Sequence, residues 1–381
     1  MATLQQNISR ITTALPNIAT AIDNKGVTVP TNTTIEDIPF YISQIQQGGT
    51  GGSEWTRPSE RPPLPVTQLS DNDMYILYKV SPNAINDMVI GLTLGDTTNV
   101  SLYTNWGDGS AEELWETGIS TKTHVYDFNS ITAPINADGS KWIWIKTYNS
   151  AIGTSTGGIT TFNMPVRPST RGAANNYTPN GYELYTKLPY LTTISNTTTA
   201  TNRWQLLEIA DFQGTNQITT GAQNFLYSSF QLRQLNIDTS TWTNFSNFLG
   251  YCTQFNQQLN IDTSHATVLS GFMTGCYSYS HIINLNLSNF VSAFPSFGSL
   301  YGLKGIRLQN TSLTNGAIAF NNTNLNADAA ALLFGDLYDR TGQTAVAINI
   351  LGTPAASNLS DTQIAIATSK NYTITGRVPL V

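Results

Sequence analysis

Residues 235–240 read Leu-Asn-Ile-Asp-Thr-Ser, and residues 259–264 repeat the same six residues. The apolar–polar–apolar start of this motif recurs in three further places along the chain. The five copies follow one another at a nearly regular spacing and begin at Leu207, Leu235, Leu259, Leu285 and Ile306. A unit of this length cannot bury its apolar face alone and has to stack on its neighbours. The spacing therefore predicts a stack of structural repeats over residues 204–381.

A second pattern runs between these motifs, at residues 224–227, 246–252 and 270–276. Together with Phe-Asn-Gln-Gln-Leu-Asn-Ile-Asp-Thr-Ser at residues 255–264, it resembles the BspA type of leucine-rich repeat, although this copy lacks the family's tryptophan. The resemblance covers about residues 205–310. It implies a leucine-rich-repeat α/β solenoid with a binding role. Helices at residues 327–337 and 360–369, with strands at 345–351 and 372–375, are predicted to form a C-terminal cap.

Residues 54–165 have the pattern of a β domain. Four runs read as strands, at residues 74–78, 88–92, 100–103 and 142–145. The turn Trp106-Gly107-Asp108-Gly109, followed by His124-Val125-Tyr126, resembles the polycystic-kidney-disease type of immunoglobulin-like β-sandwich. That resemblance implies structural roles, in which the glycines permit a tight turn and the His-x-Tyr motif lies on a core strand.

Two further regions separate these parts. Residues 48–53 read Gly-Gly-Thr-Gly-Gly-Ser, which is typical of a flexible linker. Residues 166–203 are polar and weakly patterned, so we predict a connecting region with a short strand at residues 182–185.

Residues 1–47 carry a heptad-like apolar stripe, which is interrupted at Pro16. A helical or coiled-coil segment is predicted, and isoleucine at both core positions favours a trimer. The alternative is a small helical hairpin that buries its stripe within one chain. The residues assigned to oligomerisation or anchoring are Leu4, Ile8, Ile11, Leu15, Ile18, Ile22, Ile35, Ile38, Ile42 and Ile45. Residues 18–45 also resemble the start of many phage tail and baseplate proteins.

The composition narrows the classes of function. Only 11% of residues are charged, against roughly 25% in an average soluble domain. The net charge is −6, and without a basic face the chain is not expected to bind nucleic acid. It shows neither a secretory signal pattern nor a membrane-spanning run, so we expect synthesis in the host cytoplasm and no membrane association.

No catalytic or metal-binding pattern stands out. His124 is assigned to packing or hydrogen bonding, and His265 to an exposed turn, because Thr241 takes its place in the sister repeat. Cys252 and Cys276 hold equivalent repeat positions and are predicted to be buried. The carboxylates Glu112, Glu113, Asp211 and Asp336 fall in different units and do not predict a hydrolase pair. We expect no enzymatic activity and no cofactor.

The aromatic residues of the repeats have two interpretations. Most phenylalanines fit core positions of the repeat. The other aromatic side chains would give a surface on which a sugar or a partner stacks. That candidate surface comprises Tyr227, Trp242, Tyr251, Tyr277 and Tyr279.

Together these patterns predict a multidomain, mainly β chain that belongs to a bacteriophage virion as a fibre, tail or capsid appendage. Its expected partners are other virion proteins, further copies of itself in a homotrimer, and a host-surface glycan or protein. The alternatives are a bacterial surface adhesin with the same repeats and a polysaccharide-cleaving tail fibre.

Overall fold

The computed structural model describes residues 55–82, 89–96, 100–150, 157–163, 181–195, 204–220, 223–290, 297–298, 300–311 and 318–378. The chain divides into two compact units, Met1–Arg57 and Pro58–Val381. Nearly all described residues belong to the second unit, which is mainly β. The predicted heptad residues from Leu4 to Ile45 and the glycine linker lie outside the described residues.

Sixteen strands and three α-helices occur among the described residues. The strands are β1 Asp73–Val80, β2 Val89–Asp96, β3 Leu102–Asn105, β4 Glu113–Leu114, β5 Ser120–Val125, β6 Lys141–Asn149, β7 Ile159–Asn163, β8 Gly181–Lys187, β9 Thr193–Ser195, β10 Ile209–Phe212, β11 Gln234–Asn236, β12 Ile282–Asn286, β13 Gly305–Gln309, β14 Ile318–Ala319, β15 Val346–Asn349 and β16 Tyr372–Thr375. The helices are α1 Ala327–Asp336, α2 Ala355–Asn358 and α3 Asp361–Ser369.

The largest sheet joins the β domain to the repeats. Its strand order is β11-β10-β8-β1-β6-β3-β4. Strand β8 pairs with β1 in antiparallel fashion and with β10 in parallel fashion, and β10 pairs with β11 in parallel. The first two repeat strands therefore extend the sheet of the β domain. Strand β8 confirms the strand predicted at residues 182–185, and it lies inside this sheet, between β1 and β10.

A second sheet, ordered β5-β2-β7-β9, shares its core with the first. The alternation predicted at residues 142–145 is confirmed, because Ile143 and Ile145 enter the core while the two tryptophans point to the other face. Aromatic rings link the two sheets. Tyr78 on β1 stacks on Tyr126, which directly follows β5, with ring centroids 5.7 Å apart. Each apolar side chain buried in this way stabilises the fold by about 1.5–3 kcal/mol.

Successive repeats stack through backbone hydrogen bonds between three equivalent turn segments, residues 224–229, 246–252 and 270–276. The N–H groups of Asn224, Leu226 and Ser228 donate to carbonyls of the second segment, at 3.0, 3.2 and 2.7 Å. Those of Asn247, Leu249 and Tyr251 donate in the same way to carbonyls of the third segment, at 2.8, 3.0 and 2.6 Å. The turn segments thus form a ladder that runs along the stack.

The repeated Asp-Thr-Ser sequence has a structural purpose. The buried hydroxyl of Thr239 donates to the carbonyl of Asp262 and accepts from its N–H, both at 2.9 Å. Thr263 makes the same pair of bonds with Asn286, at 2.9 and 2.7 Å. Each threonine therefore replaces a strand pairing, and each preceding aspartate caps the turn by accepting from the serine N–H, at 3.0 and 2.7 Å.

The strand predicted at residues 259–261 is wrong, because no strand forms there. Side chains take over the pairing in its place: Gln257 Oε1 accepts from the N–H of Leu235 at 2.6 Å, and Gln258 Nε2 donates to the carbonyl of Ile282 at 2.9 Å. The strands predicted at the other four copies are confirmed in type, with boundaries shifted by up to three residues.

The C-terminal elements follow the predicted order. Asn326 caps α1, and Ser360 caps α3 in a capping box with Gln363. Strands β14, β15 and β16 pair in parallel in a separate three-stranded sheet. In the described part of the chain, no helix combines the length and apolar character that a bilayer crossing requires.

Candidate functional site

The five aromatic residues predicted to form a binding surface differ in their exposure to solvent. Tyr251 and Tyr277 are exposed, by 37% and 44%, and Tyr227 is partly buried. Trp242 and Tyr279 are fully buried, so their assignment to a surface is wrong.

The two buried rings belong to the core of the stack. Trp242 packs on Phe245 and Phe248, with ring centroids 5.5 and 5.3 Å apart. Tyr279 lies parallel to Phe255 at 6.1 Å, and its hydroxyl donates to the carbonyl of Ile282 at 3.3 Å. Burial raises the pKa of Tyr279. Both residues carry a polar atom, which favoured a surface position in the sequence analysis. In the structure each polar atom donates a hydrogen bond within the protein, from Trp242 to Asn216 and from Tyr279 to Ile282.

A tyrosine outside the predicted set completes the exposed group. Tyr301 is 55% exposed, and its ring stacks on Tyr277 at 5.5 Å with an interplanar angle of 11°. Tyr227 and Tyr251 form the other pair, at 5.3 Å and edge to face. The sequence did not identify Tyr301, because the repeat spacing is irregular between Leu285 and Ile306 and the position of Tyr301 could not be aligned with the earlier repeats. We call Tyr227, Tyr251, Tyr277 and Tyr301 the tyrosine surface.

Glycines in the next repeat make room for two of these rings. A Cβ atom at Gly250 would lie 2.7 Å from the ring of Tyr227, and one at Gly275 would lie 2.7 Å from the ring of Tyr251. Real Cβ atoms do not approach other atoms so closely. The rings are therefore held against the backbone of the following turn segment, which limits their freedom.

Tyr251 adopts an unusual backbone conformation for a bulky residue. Its φ is +60°, and the equivalent positions of the neighbouring repeats are Ser228 at +66° and Gly275 at +79°. The left-handed region costs a residue with a side chain about 1–2 kcal/mol. Glycine would fit this position without that cost, as it does at Gly275.

Few charged residues lie near the tyrosine surface in the sequence: within five residues of any of its four tyrosines, Lys304 is the one charged residue. Between residues 239 and 303, Asp262 is the one Asp, Glu, Lys or Arg residue in the sequence. Its carboxylate accepts from the N–H of Ser264 at the other motif of the repeat. Burial lowers the pKa of His281, which favours its neutral form.

The Trp-Gly-Asp-Gly turn and the His-x-Tyr motif form one cluster. The motif does not lie on a core strand as expected, because His124 is on β5 at the edge of its sheet and Tyr126 follows that strand. His124 Nε2 lies 2.7 Å from Asp108 Oδ2, and the imidazole stacks on Trp106 at 4.9 Å. The hydroxyl of Tyr126 donates to the carbonyl of Trp106 at 3.1 Å. The predicted packing and hydrogen-bonding role of His124 is confirmed. Partial burial raises the pKa of Asp108, but hydrogen bonds from Ser110 and His124 outweigh it and lower the pKa overall.

A buried ion cluster joins the proline-rich residues 57–65 to the large sheet. Arg61 donates to Glu183 Oε1 at 3.1 Å and to Glu208 Oε1 at 2.9 Å. Its guanidinium lies 5.3 Å from the ring centroid of Trp142 and 5.2 Å from that of Tyr182. Because Glu183 is on β8 and Glu208 directly precedes β10, this arginine ties the β domain to the first repeat.

The carboxylates that the sequence offered for hydrolysis have separate local partners. Glu112 accepts from Tyr148 at 2.6 Å, and Asp211 from Asn236 at 2.7 Å. Asp336 forms an ion pair with Arg307 at 2.6 Å, on the wall of an open groove of about 440 Å³ between α1 and α3. Glu113 lies 3.6 Å from Lys122. Each carboxylate thus serves its own part of the fold.

The two cysteines are free thiols in the core, as the burial prediction required. Each Sγ donates to a carbonyl of the preceding repeat, Cys252 to Leu226 at 3.1 Å and Cys276 to Leu249 at 2.9 Å. Burial raises the pKa of Cys276 to about 12. His265 is exposed, as predicted. Within the described ranges, no group of three or more His, Cys, Asp or Glu residues is placed to hold a metal ion.

Comparisons with protein-family models, curated proteins and solved structures found no match.

Proposed function

We propose that this chain is a non-enzymatic structural protein of a bacteriophage virion. Its N-terminal segment attaches it to the particle or to two further copies of itself. Its β domain is an immunoglobulin-like sandwich of the polycystic-kidney-disease type, and its repeats are a leucine-rich-repeat solenoid. The solenoid presents a surface for binding a host or another virion protein.

The observation that carries the binding role is that three tyrosines of successive repeats, Tyr251, Tyr277 and Tyr301, are exposed. An aromatic side chain left in water forfeits apolar burial, and tyrosine is enriched where proteins meet partners. The polar clusters elsewhere in the described part of the chain are closed on themselves, which favours a structural role for them.

Two features support the proposed architecture. The seven- and four-stranded sheets share one core, as the two layers of a sandwich do. The hydrogen-bond ladder joins each turn segment to the equivalent segment of the next copy, as expected for stacked repeats of the leucine-rich type. The parallel addition of β10 and β11 to the sheet makes the two parts one continuous body, which suits a projecting appendage.

Virion location is tested on phage particles purified by density gradient from a strain that encodes the chain. Antibodies against the full chain are expected to label intact particles in immunogold electron microscopy, at a fixed position on each particle. Labelling of the bacterial surface without labelling of the particles would contradict the proposal and support a bacterial adhesin.

Self-association is tested by mass photometry of the full chain. We expect a mass of three chains, since the N-terminal isoleucine pattern favours trimers. A monomer at all concentrations would contradict the trimer and leave docking on another virion protein as the mode of attachment.

A further inference from the structure

The tyrosine surface is an exposed aromatic area whose rings are already fixed in place. Tyr277 and Tyr301 lie parallel at 5.5 Å, while Tyr251 lies against Gly275, only two residues from Tyr277. Because two residues span at most about 7 Å of chain, Tyr251, Tyr277 and Tyr301 are close enough to contact one extended ligand. Rings fixed in advance lose little conformational entropy when a ligand binds.

The left-handed backbone at Tyr251 is shared by the equivalent Ser228 and Gly275, yet this repeat places a bulky, partly exposed ring there. A tyrosine at φ +60° is unfavourable where the next repeat uses glycine. The side chain remains 37% exposed, so packing within the chain does not use the whole ring. Strained residues of this kind concentrate at binding sites.

The lack of charge restricts the chemistry of the ligand. Nucleic acids and acidic polysaccharides require several lysines or arginines against their anionic groups. The sequence has neither from residue 234 to residue 303, and the exposed Lys304, three residues after Tyr301, is a single cation. The polar side chains in and directly after the turn segments are hydroxyls and amides, such as Gln254, Thr274 and Ser278. These groups both donate and accept hydrogen bonds, as the hydroxyls of a sugar do.

We propose that the tyrosine surface binds a neutral polysaccharide of the host surface. The apolar C–H face of a sugar ring packs on the exposed tyrosine rings, and its hydroxyls bond with the nearby amides and hydroxyls. This proposal rests on the proposed function, because it names the ligand class of the repeat region. A protein partner is the competing occupant, but it would normally bring a charged rim to its interface, and Lys304 is the one charged residue that the sequence places within five residues of these tyrosines.

The test uses the full chain in native gels that contain dextran, mannan or galactan, with alginate as an acidic comparison. At least one neutral polysaccharide is expected to retard the chain, and alginate is not. Tyr277→Ala and Tyr301→Ala are each expected to weaken the apparent affinity about fivefold or more, as truncation of a central interface tyrosine does. Tyr277→Phe keeps the ring and is expected to keep most of the binding.

Tyr338→Ala is the matched control, because Tyr338 is 38% exposed and lies outside the tyrosine surface. It is expected to leave retardation unchanged, and equal thermal melting of all variants shows that they fold. Retardation by none of the neutral polysaccharides would overturn the proposal. So would equal retardation of the wild type and both alanine variants.

Binding of the full chain to host cells separates the two classes of partner. We expect periodate treatment of the cells to abolish binding and protease treatment to leave it intact. The reverse result would identify a protein partner and overturn the proposal. Failure of the virion proposal is recognised independently, since it depends on particle labelling. Labelled particles whose chain binds no neutral polysaccharide would refute the glycan inference alone.

Discussion

The imidazole of His124 lies 2.7 Å from the carboxylate of Asp108, so β5 is fixed to the Trp-Gly-Asp-Gly turn by one short contact. Trp106 and Tyr126 close the cluster on either side, with ring centroids 4.9 and 4.8 Å from the imidazole. These residues therefore hold the β domain together and are not available for a ligand.

The two glycines of the turn differ in what a side chain would meet. A Cβ at Gly107 would lie 2.4 Å from the carbonyl oxygen of Trp144, whereas one at Gly109 would meet nothing within 4 Å. Both have positive φ, at +81° and +86°. We expect Gly107→Ala to lower the free energy of unfolding by about 3 kcal/mol or more, and Gly109→Ala by about 1 kcal/mol. Urea unfolding followed by tryptophan fluorescence measures both, and equal losses would contradict the close contact.

The Asp108–His124 contact predicts a specific acid sensitivity. The folded state lowers the pKa of Asp108 below its usual 3.8, because hydrogen bonds from Ser110 and His124 outweigh the effect of burial. Its stabilising contribution is therefore present above pH 3.8 and is lost as the pH falls below that value. Between pH 6 and pH 3, the wild type is expected to lose more unfolding free energy than Asp108→Asn. The same loss in both proteins would show that this carboxylate does not contribute.

The buried ion cluster predicts that removing Arg61 lowers the free energy of unfolding far more than removing Lys187. Arg61→Met leaves Glu183 fully buried without its counterion, which is expected to cost about 3–5 kcal/mol of unfolding free energy. The control is Lys187→Met, which breaks the exposed pair between Lys187 and Asp71. Exposed pairs contribute about 1 kcal/mol or less. Chemical denaturation of both variants checks the prediction, and a small effect at Arg61 would count against it.

The threonine of the Asp-Thr-Ser motif is expected to be essential for stacking. Thr239→Val keeps the shape of the side chain but leaves the N–H of Asp262 without its hydroxyl acceptor. We expect a loss of about 1–3 kcal/mol. Thr215→Val changes an exposed threonine of the preceding repeat and is expected to stay within about 0.5 kcal/mol of the wild type. Similar stability of the two variants would contradict a role for the Thr239 hydroxyl in joining the repeats.

Much of the local structure could be predicted from the sequence. The helix at Asp361–Ser369 and its Ser360 cap follow from local hydrogen bonding, and β16 matches its predicted range, residues 372–375. The strand predicted at residues 259–261 does not form, and the cause lies in neighbouring repeats. Side chains of Gln257 and Tyr279 accept from the backbone N–H groups of Leu235 and Leu259, which strand pairing would otherwise use.

The candidate site was predicted less well. Tyr251 and Tyr277 were identified as exposed rings, but Trp242 and Tyr279 were assigned wrongly, and Tyr301 was missed. Aromatic residues with a polar atom suit either a core or a surface. Which of the two applies depends on whether the stacked neighbour supplies a hydrogen-bond partner, and the sequence of one repeat does not contain that information.

The repeat spacing, the strand alternation at residues 142–145, the Ser360 cap and the low charge could be read from the sequence, because none of them depends on which distant residues come into contact. Three features came from long-range packing alone: β8 joins the β domain to the repeats, Arg61 lies between Glu183 and Glu208, and Tyr277 stacks on Tyr301. The physical reason is that these contacts link residues from different repeats and strands. Their partners are chosen by the packing of the whole unit and not by local preference.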